Sequence, residues 1–282
     1  MKRLALLVAV LSVVAVSAAL LLTAASSATT SQANSTSLPT ISIAMDGSSI
    51  TVSGTLQSGA VDVVSTTTGE AEGEPMLVRL DPGVTFAEAS AAVAAHKGDP
   101  NYLDPYGAIV FDAIAPKGTS NVQTSLQPGD YVAFDTINND QAKWSHTEFT
   151  VTVAAQPATL PAPQGTVSAI EFGFRGQNRL KDGELVRFEN DGFLVHMIVW
   201  VRVKDTKAAE QATALLRAGK DNAASRLATG FGTFAGPLSS GAFQQLVVNE
   251  KPGIYVLLCF MSTQDGREHT RLGMERTIRI VK

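Results

Sequence analysis

The chain has 282 residues, of which 45% are hydrophobic and 17% charged, and its formal net charge is −4. This length predicts one or two domains, and the mild acidity provides no electrostatic footprint for nucleic acid. The single cysteine, Cys259, excludes an intrachain disulfide, so this thiol is buried in a core, bonded to another molecule or a metal ligand.

Residues 1–28 have the layout of a secretory signal. Lys2 and Arg3 precede a long apolar run, and small residues lead to a cleavage point predicted after Ala28. The apolar run is also long enough for an uncleaved amino-terminal anchor, which would be the only attachment to a membrane. Either alternative predicts an exported protein, secreted or held in the cell envelope. Cleavage would change the net charge from −4 to −6, since two basic residues and no acidic ones are lost. The polar residues 29–38 are predicted to form a disordered spacer.

Three segments recur in the same order at offsets of 122 to 124 residues, which indicates an internal repeat. The matching pairs are "MLVRL" (76–80) with "VWVRV" (199–203), "FAEASAAVAAHKGD" (86–99) with "AAEQATALLRAGKD" (208–221), and "LQPGDYVAFD" (126–135) with "NEKPGIYVLLC" (249–259). We therefore predict two tandem copies of one domain, at residues 39–153 and 166–282. The proline-rich residues 154–165 between them are predicted to form a semi-rigid linker.

Each copy consists mainly of short runs that are typical of strands. "GELVRFEN", "HMIVWVRV", "GIYVLLCF" and "RTIRIV" are rich in β-branched and aromatic residues and are bounded by turn formers. The run "YVLLCF" does not alternate, which indicates a strand buried on both faces. One helix interrupts the strands of each copy, and Thr85 with Glu88 forms a capping-box pattern at the start of the first. The pattern predicts an all-β protein of two tandem Greek-key β-sandwiches, each with a short helical insertion.

The second copy carries sulfur and imidazole groups near the ends of its predicted strands. His196 begins a strand after an Asn-Asp-Gly turn, Cys259 ends another strand, and His269 and Met274 lie in the loop that follows. Taken singly, a buried cysteine or methionine is usually only a core residue. Together, two imidazoles, a thiolate and a thioether form the ligand set of a blue-copper centre. We therefore predict that these four residues bind one copper ion of type 1.

Three segments of the second copy resemble the cupredoxin, or plastocyanin-like blue-copper, family. "FENDGFLVHMIVW" is similar to the family's N-x-G...H strand, "PGIYVLLC" to its G-x-Y-x-x-x-C strand, and "HTRLGM" to the His-x4-Met end of its ligand loop. The resemblance implies an eight-stranded sandwich with copper near one end. His196 and His269 would be the imidazole ligands, Cys259 the thiolate and Met274 the weak axial ligand.

Two departures from the family pattern accompany this resemblance. Nine residues, "FMSTQDGRE", separate Cys259 from His269, which is more than the family usually has. A small turn at the Gln-Asp-Gly within them would return His269 to the metal. In the first copy, Asp135 stands at the position of Cys259 and Gly73 near that of His196, so this copy is predicted to be a degenerate domain without a metal site.

The function predicted from these features is that of an extracytoplasmic mononuclear copper-binding protein. It would transfer single electrons to or from a redox partner protein, or carry copper, without turning over a substrate. Two linked cupredoxin-like copies also resemble nitrite reductases and multicopper oxidases, but those enzymes need further histidines in His-x-His pairs. The chain has four histidines and no such pair, so we predict that it is not an enzyme. The alternative is a metal-free secreted β-sandwich that serves as a binding or structural module.

Overall fold

A computed structural model describes residues 37–96, 98–138 and 140–282, apart from the side chain of Ala142. The predicted signal and nearly all of the predicted spacer lie outside these residues. Residues 38–282 form one compact unit. None of the helices in the described ranges has the length and apolarity needed to cross a membrane.

The described residues form seventeen strands in three sheets. The strands of the first half are β1 (Thr40–Met45), β2 (Ile50–Gly54), β3 (Gly59–Gly73), β4 (Pro75–Leu80), β5 (Gly107–Asp112), β6 (Ala115–Leu126), β7 (Gly129–Asp135) and β8 (His146–Val151). Those of the second half are β9 (Gly165–Ile170), β10 (Gly173–Gly176), β11 (Arg179–Lys181), β12 (Leu185–Asn190), β13 (His196–Val203), β14 (Ala228–Leu238), β15 (Phe243–Val247), β16 (Gly253–Leu258) and β17 (Glu275–Val281). The helices are α1 (Phe86–Ala95), α2 (Thr206–Arg217) and α3 (Asp221–Ser225), with short 3₁₀ turns at Pro100–Leu103, Gln141–Lys143 and His269–Leu272.

The two halves have the same sheet topology. The order β2-β1-β3-β6 in the first half matches β10-β9-β12-β15 in the second, and β5-β4-β7-β8 matches β14-β13-β16-β17, with β11 added at the edge. The parallel pair β1–β3 corresponds to the parallel pair β9–β12, and the other matched neighbours are antiparallel in both halves. This repetition confirms the predicted all-β fold of two tandem Greek-key sandwiches, each with a helical insertion.

The strand predicted to be buried on both faces is buried in this way. Tyr255 and Leu257 of β16 face the core of the second sandwich, whereas Val256 and Leu258 pack on the other side under α2. The alternation of strand side chains sends neighbouring residues to opposite faces, and both faces are covered here. A continuous apolar run therefore suits this strand better than an alternating one.

The helical insertions begin where their capping residues stand. The N–H of Glu88 donates to Oγ1 of Thr85 at 3.3 Å, and Oε2 of Glu88 accepts from the N–H of Thr85 at 2.8 Å. The predicted capping box is thus present and satisfies two amides at the start of α1. In the second copy Asp205 caps α2 instead, with Oδ1 accepting from the N–H of Ala208 at 2.8 Å.

The two halves share one sheet and part of one core. Strands β6 and β15 pair antiparallel at Gln123 and Gln245, and Nε2 of Gln245 donates to Oε1 of Gln123 at 2.9 Å. This pairing joins four strands of each half into one eight-stranded sheet. The connecting residues lie against it, since the carbonyl of Pro161 accepts from Nε2 of Gln245 at 3.1 Å and that of Ala158 from the N–H of Ala60 at 2.9 Å.

A buried carboxyl group lies where the halves meet. Asp112 is fully buried at the end of β5, its N–H donates to Oε1 of Gln244 in the second half, and a Cβ at Gly236 of β14 would overlap its carboxyl group. Neither carboxyl oxygen has a hydrogen-bond partner among the described residues. Burial, together with the negative charge of Glu74, raises the pKa of Asp112 well above its usual value. A protonated Asp112 is therefore the form that fits this junction.

The wild type is expected to lose stability as pH rises, because the buried Asp112 resists ionisation. Asp112→Asn has no carboxyl group at this position and should not show that loss. A carboxyl group whose pKa is raised on folding contributes stability that is present below its unfolded pKa of about 4 and is lost as pH rises through the folded pKa. The free energy of unfolding of the wild type should fall over this range relative to that of Asp112→Asn. Urea unfolding at a series of pH values from 4 to 8 measures the difference. The exposed Asp104 offers a control, since Asp104→Asn makes the same chemical change at a carboxyl group that is not buried. Identical profiles for Asp112→Asn and the wild type would contradict a protonated Asp112.

Candidate metal centre

Two loops meet at one end of the second sandwich, the one before β13 and the one between β16 and β17. His196 begins β13, Cys259 directly follows β16, and His269 begins the 3₁₀ turn before β17. Their exposed fractions are 1%, 0% and 0%, so the cluster lies in the interior. The ligand atoms of the three residues all lie within 4.8 Å of one another. Within the described ranges this is the only group of three or more His, Cys, Asp or Glu residues that could hold a metal ion.

The loop that positions His196 is organised by Asn190. The Oδ1 atom of this buried asparagine accepts from the N–H of Gly192 at 2.9 Å, and Nδ2 donates to the carbonyl of Leu194 at 2.8 Å. A Cβ at Gly192 would lie 2.7 Å from Nε2 of His196 and 2.6 Å from Oε1 of Glu171, so a side chain there would displace the imidazole or the carboxylate. The Asn-Asp-Gly motif of the sequence is thus a turn that closes tightly around His196.

The long segment between Cys259 and His269 folds as a small hairpin. Ser262 and Glu268 form a β-bridge, and the N–H of Thr263 donates to the carbonyl of Arg267 at 2.9 Å. Inside the hairpin Gly266 adopts a φ of 81°, a left-handed conformation that favours glycine. The structure therefore contains the turn expected at Gln-Asp-Gly.

This hairpin returns the chain to Cys259. The N–H of His269 donates to the carbonyl of Met261 at 2.8 Å, which places the imidazole beside the thiol despite the nine intervening residues. The Sγ atom of Cys259 accepts from the N–H of Met197 at 3.4 Å, which ties the sulfur to β13 next to His196.

The three ligand atoms form a triangle of the size that a metal ion requires. The distance between the Nδ1 atoms of His196 and His269 is 3.1 Å, and Sγ of Cys259 lies 3.3 Å from Nδ1 of His269 and 3.7 Å from Nδ1 of His196. A point equidistant from the corners of such a triangle is about 2.0 Å from each, close to the ~2.0–2.1 Å of metal–imidazole bonds. The donor set and its spacing fit one copper ion of type 1.

Glu171 lies behind His196 on the side away from Cys259. Its Oε1 atom is 3.6 Å from Nε2 of His196 and accepts from the N–H groups of Leu194, at 3.1 Å, and Phe193. A carboxylate behind a metal-binding histidine favours the tautomer with hydrogen on the far nitrogen. Glu171 is therefore placed to leave Nδ1 of His196 available to a metal. Nothing in the sequence distinguished it from other surface glutamates.

Both imidazoles are neutral in this environment at neutral pH. Burial lowers the pKa of His269 to about 4, assisted by the neighbouring His196 and opposed by Glu171. Burial also lowers the pKa of His196, again opposed by Glu171. The neutral form is the one that binds metal ions, so no proton has to be displaced from either imidazole.

Met274, the fourth predicted ligand, is also in the interior. It is fully buried, belongs to the same apolar cluster as Cys259, and follows Gly273, which has a φ of 93°. Its N–H donates to the carbonyl of His269 at 3.0 Å, so its backbone is tied to one of the loops of the cluster. Its role as the axial ligand remains a prediction.

The corresponding positions of the first copy have structural roles. Oδ1 of Asp135 accepts from the N–H groups of Glu74 at 3.0 Å and Ile137 at 3.4 Å, so this carboxylate holds backbone amides where the second copy has its thiol. His146 packs against the ring of Phe86, with 4.3 Å between ring centroids. The absence of a metal site from the first copy stays a prediction.

Comparisons with known proteins find similar solved structures. Neither a family model nor a curated protein matches the chain. Auracyanin from Roseiflexus castenholzii is 17% identical over 42% of this chain and 95% of its own, with a TM-score of 0.26. The copper-containing nitrite reductase of Thermus scotoductus is 11% identical over 86% of this chain and 68% of its own, also with a TM-score of 0.26. A multicopper oxidase is 11% identical over 86% of this chain and 88% of its own, with a TM-score of 0.24.

These comparisons correct one prediction. The exclusion of enzymatic function is wrong, because the similar structures include a nitrite reductase and multicopper oxidases, which are enzymes. The exclusion depended on the absence of His-x-His pairs. His-x-His pairs belong to one kind of catalytic copper site, so their absence does not exclude enzymatic function for the whole chain.

Proposed function

We propose that this cupredoxin-like protein holds one type 1-like copper ion between His196, Cys259, His269 and Met274 and uses it for one-electron transfer or copper carriage. The observation that carries the proposal is the convergence of two Nδ1 atoms and one Sγ atom, 3.1 to 3.7 Å apart, in a fully buried cluster. The burial of Met274 in the same apolar cluster supports its place as the weak fourth ligand.

The ligand types suit a metal that changes its charge. A copper ion at this position supplies a one-electron redox couple, since thiolate and thioether favour Cu(I) and imidazole accepts both oxidation states. The protein residues hold the geometry constant. Asn190 fixes the loop before His196, the hairpin of residues 260–268 fixes His269, and the N–H of Met197 holds the sulfur. The buried cluster also excludes water, which keeps the ligand set unchanged between the two charge states.

The site also has a contact that leads toward the surface. The ring of the partly exposed Phe172 meets the buried imidazole of His269 edge-on, with 5.2 Å between centroids and an interplanar angle of 76°. We propose that a redox partner protein exchanges electrons on this side, through the ring and the imidazole. The signal-like residues 1–28 support an extracytoplasmic location for this exchange.

A copper titration of the purified protein tests the proposed function. Addition of Cu(II) should produce an intense visible thiolate-to-copper band that saturates at one copper per chain, with a matching paramagnetic resonance signal. A protein that remains colourless and also fails to compete for Cu(I) would contradict the proposal. The cluster would then be a hydrogen-bonded part of the core, and the alternative of a metal-free binding or structural module would take its place.

A further inference from the structure

One side chain of the first half contacts both ligand loops of the second. Asn101 lies in the 3₁₀ turn Pro100–Leu103 that follows α1. Its Oδ1 atom accepts from the N–H of Val195 at 3.1 Å, and its Nδ2 atom donates to the carbonyl of Ser262 at 2.8 Å. Val195 directly precedes His196, and Ser262 is at the base of the hairpin that carries His269. A single amide group therefore links the two loops that deliver the imidazoles.

The amide of Asn101 is held in this orientation from within the first half. Oδ1 of Asp99 accepts from the N–H of Asn101 at 3.0 Å and from its Nδ2 atom at 2.9 Å. Leu103, at the end of the same turn, is buried in the apolar cluster that both halves share. The three contacts of the side-chain amide, with Val195, Ser262 and Asp99, fit one assignment of its oxygen and nitrogen, because each atom meets a group of opposite hydrogen-bonding character.

The length of the hairpin explains why hydrogen bonds from the first half matter for its position. A longer loop costs more conformational entropy to hold in one place, and nine residues separate Cys259 from His269. The β-bridge between Ser262 and Glu268 closes the hairpin on itself, but it does not fix the hairpin relative to the loop of His196. The hydrogen bonds of Asn101 join these two loops directly, and so they bear on the separation of the two imidazoles.

We propose that Asn101 is a positioning residue for the copper centre, and that the first copy serves as the scaffold that holds the ligand loops of the second in register. This inference rests on the proposed copper function. It assigns the first copy a role at a site to which it contributes no ligand.

Three variants of the full chain test the inference. Asn101→Ala removes both links, and Asn101→Asp keeps the acceptor for Val195 while removing the donor to Ser262. Gln123→Ala is the matched control, because it also deletes a hydrogen bond of a side-chain amide between the halves, but one that joins strands of the large sheet. For each protein we would measure Cu(II) affinity by competition, the thiolate-to-copper band, and hydrogen exchange of the metal-free form at Val195 and residues 260–268.

Asn101→Ala should lower the Cu(II) affinity about 10-fold or more, which is the size of effect found for groups that orient metal ligands. It should also shift the band and speed exchange at Val195 and in the hairpin. Asn101→Asp should loosen the hairpin and leave Val195 protected, and Gln123→Ala should match the wild type in all three measurements. If Asn101→Ala has the wild-type copper affinity, thiolate-to-copper band and hydrogen exchange, the inference about Asn101 is wrong, whereas the proposed copper function still stands. A wild type that binds no copper would overturn the proposed function and this inference with it.

Discussion

Replacing Cys259 with serine is expected to abolish the thiolate-to-copper band and to weaken copper binding by more than the ~100-fold that follows loss of a ligand-orienting group. Serine supplies a hard hydroxyl group in place of the soft thiolate that favours Cu(I). The sandwich should stay folded, because serine is close in size and its oxygen can still accept from the N–H of Met197. Visible absorption and paramagnetic resonance after Cu(II) addition, together with thermal unfolding of the metal-free protein, measure these outcomes.

Met261 provides the control for this experiment. It is another buried sulfur-containing residue of the same apolar cluster, two residues after Cys259, and is not among the proposed ligands. Met261→Leu conserves the volume of the side chain, so it should keep both the band and the fold. A band that survives in Cys259→Ser, or that disappears equally in Met261→Leu, would contradict the assignment of Cys259 as the thiolate ligand.

Replacing Phe188 with alanine is expected to lower the free energy of unfolding by about 3–5 kcal/mol. Phe188 of β12 is 0% exposed and stacks on Phe234 of β14, with 4.5 Å between ring centroids. Truncation removes apolar surface from the core and leaves a cavity between the two sheets of the second sandwich. Urea unfolding of the metal-free protein measures the change.

The control for Phe188 is a phenylalanine of the same half. Phe193 is 84% exposed, so Phe193→Ala should change the free energy of unfolding by no more than about 0.5 kcal/mol. Similar losses for the two variants would contradict the packing described here. A small loss for Phe188→Ala alone would mean that the sheets close over the missing ring.

The fold was accessible from the sequence because its evidence is local. The capping box of Thr85 and Glu88, the continuous apolar run of β16 and the repeated segments all depend on residues that are neighbours along the chain. The repeat also predicted that both halves would share one topology. The continuous sheet across the halves, paired at Gln123 and Gln245, was not predicted, because no local pattern identifies which edge strands will meet.

The candidate site likewise contains residues that the sequence identified and residues that it did not. His196, Cys259 and His269 were identified by residue type and order, and the structure brings all three together. Glu171 and Asn101 were missed, since an exposed glutamate and a loop asparagine carry no signal of their own. The exclusion of an enzyme was wrong for a related reason, because it was drawn from a missing motif rather than from the architecture.

The sequence by itself thus determined the repeat, the strands and the identity of the candidate metal ligands, since these follow from side-chain chemistry and short-range pattern. The tertiary structure alone decided that these groups meet. His196 and Cys259 are 63 residues apart in the chain, and Asn101 and Ser262 are 161 residues apart. Distances across such separations depend on how sheets and loops pack against one another, and no single segment of the chain contains that information.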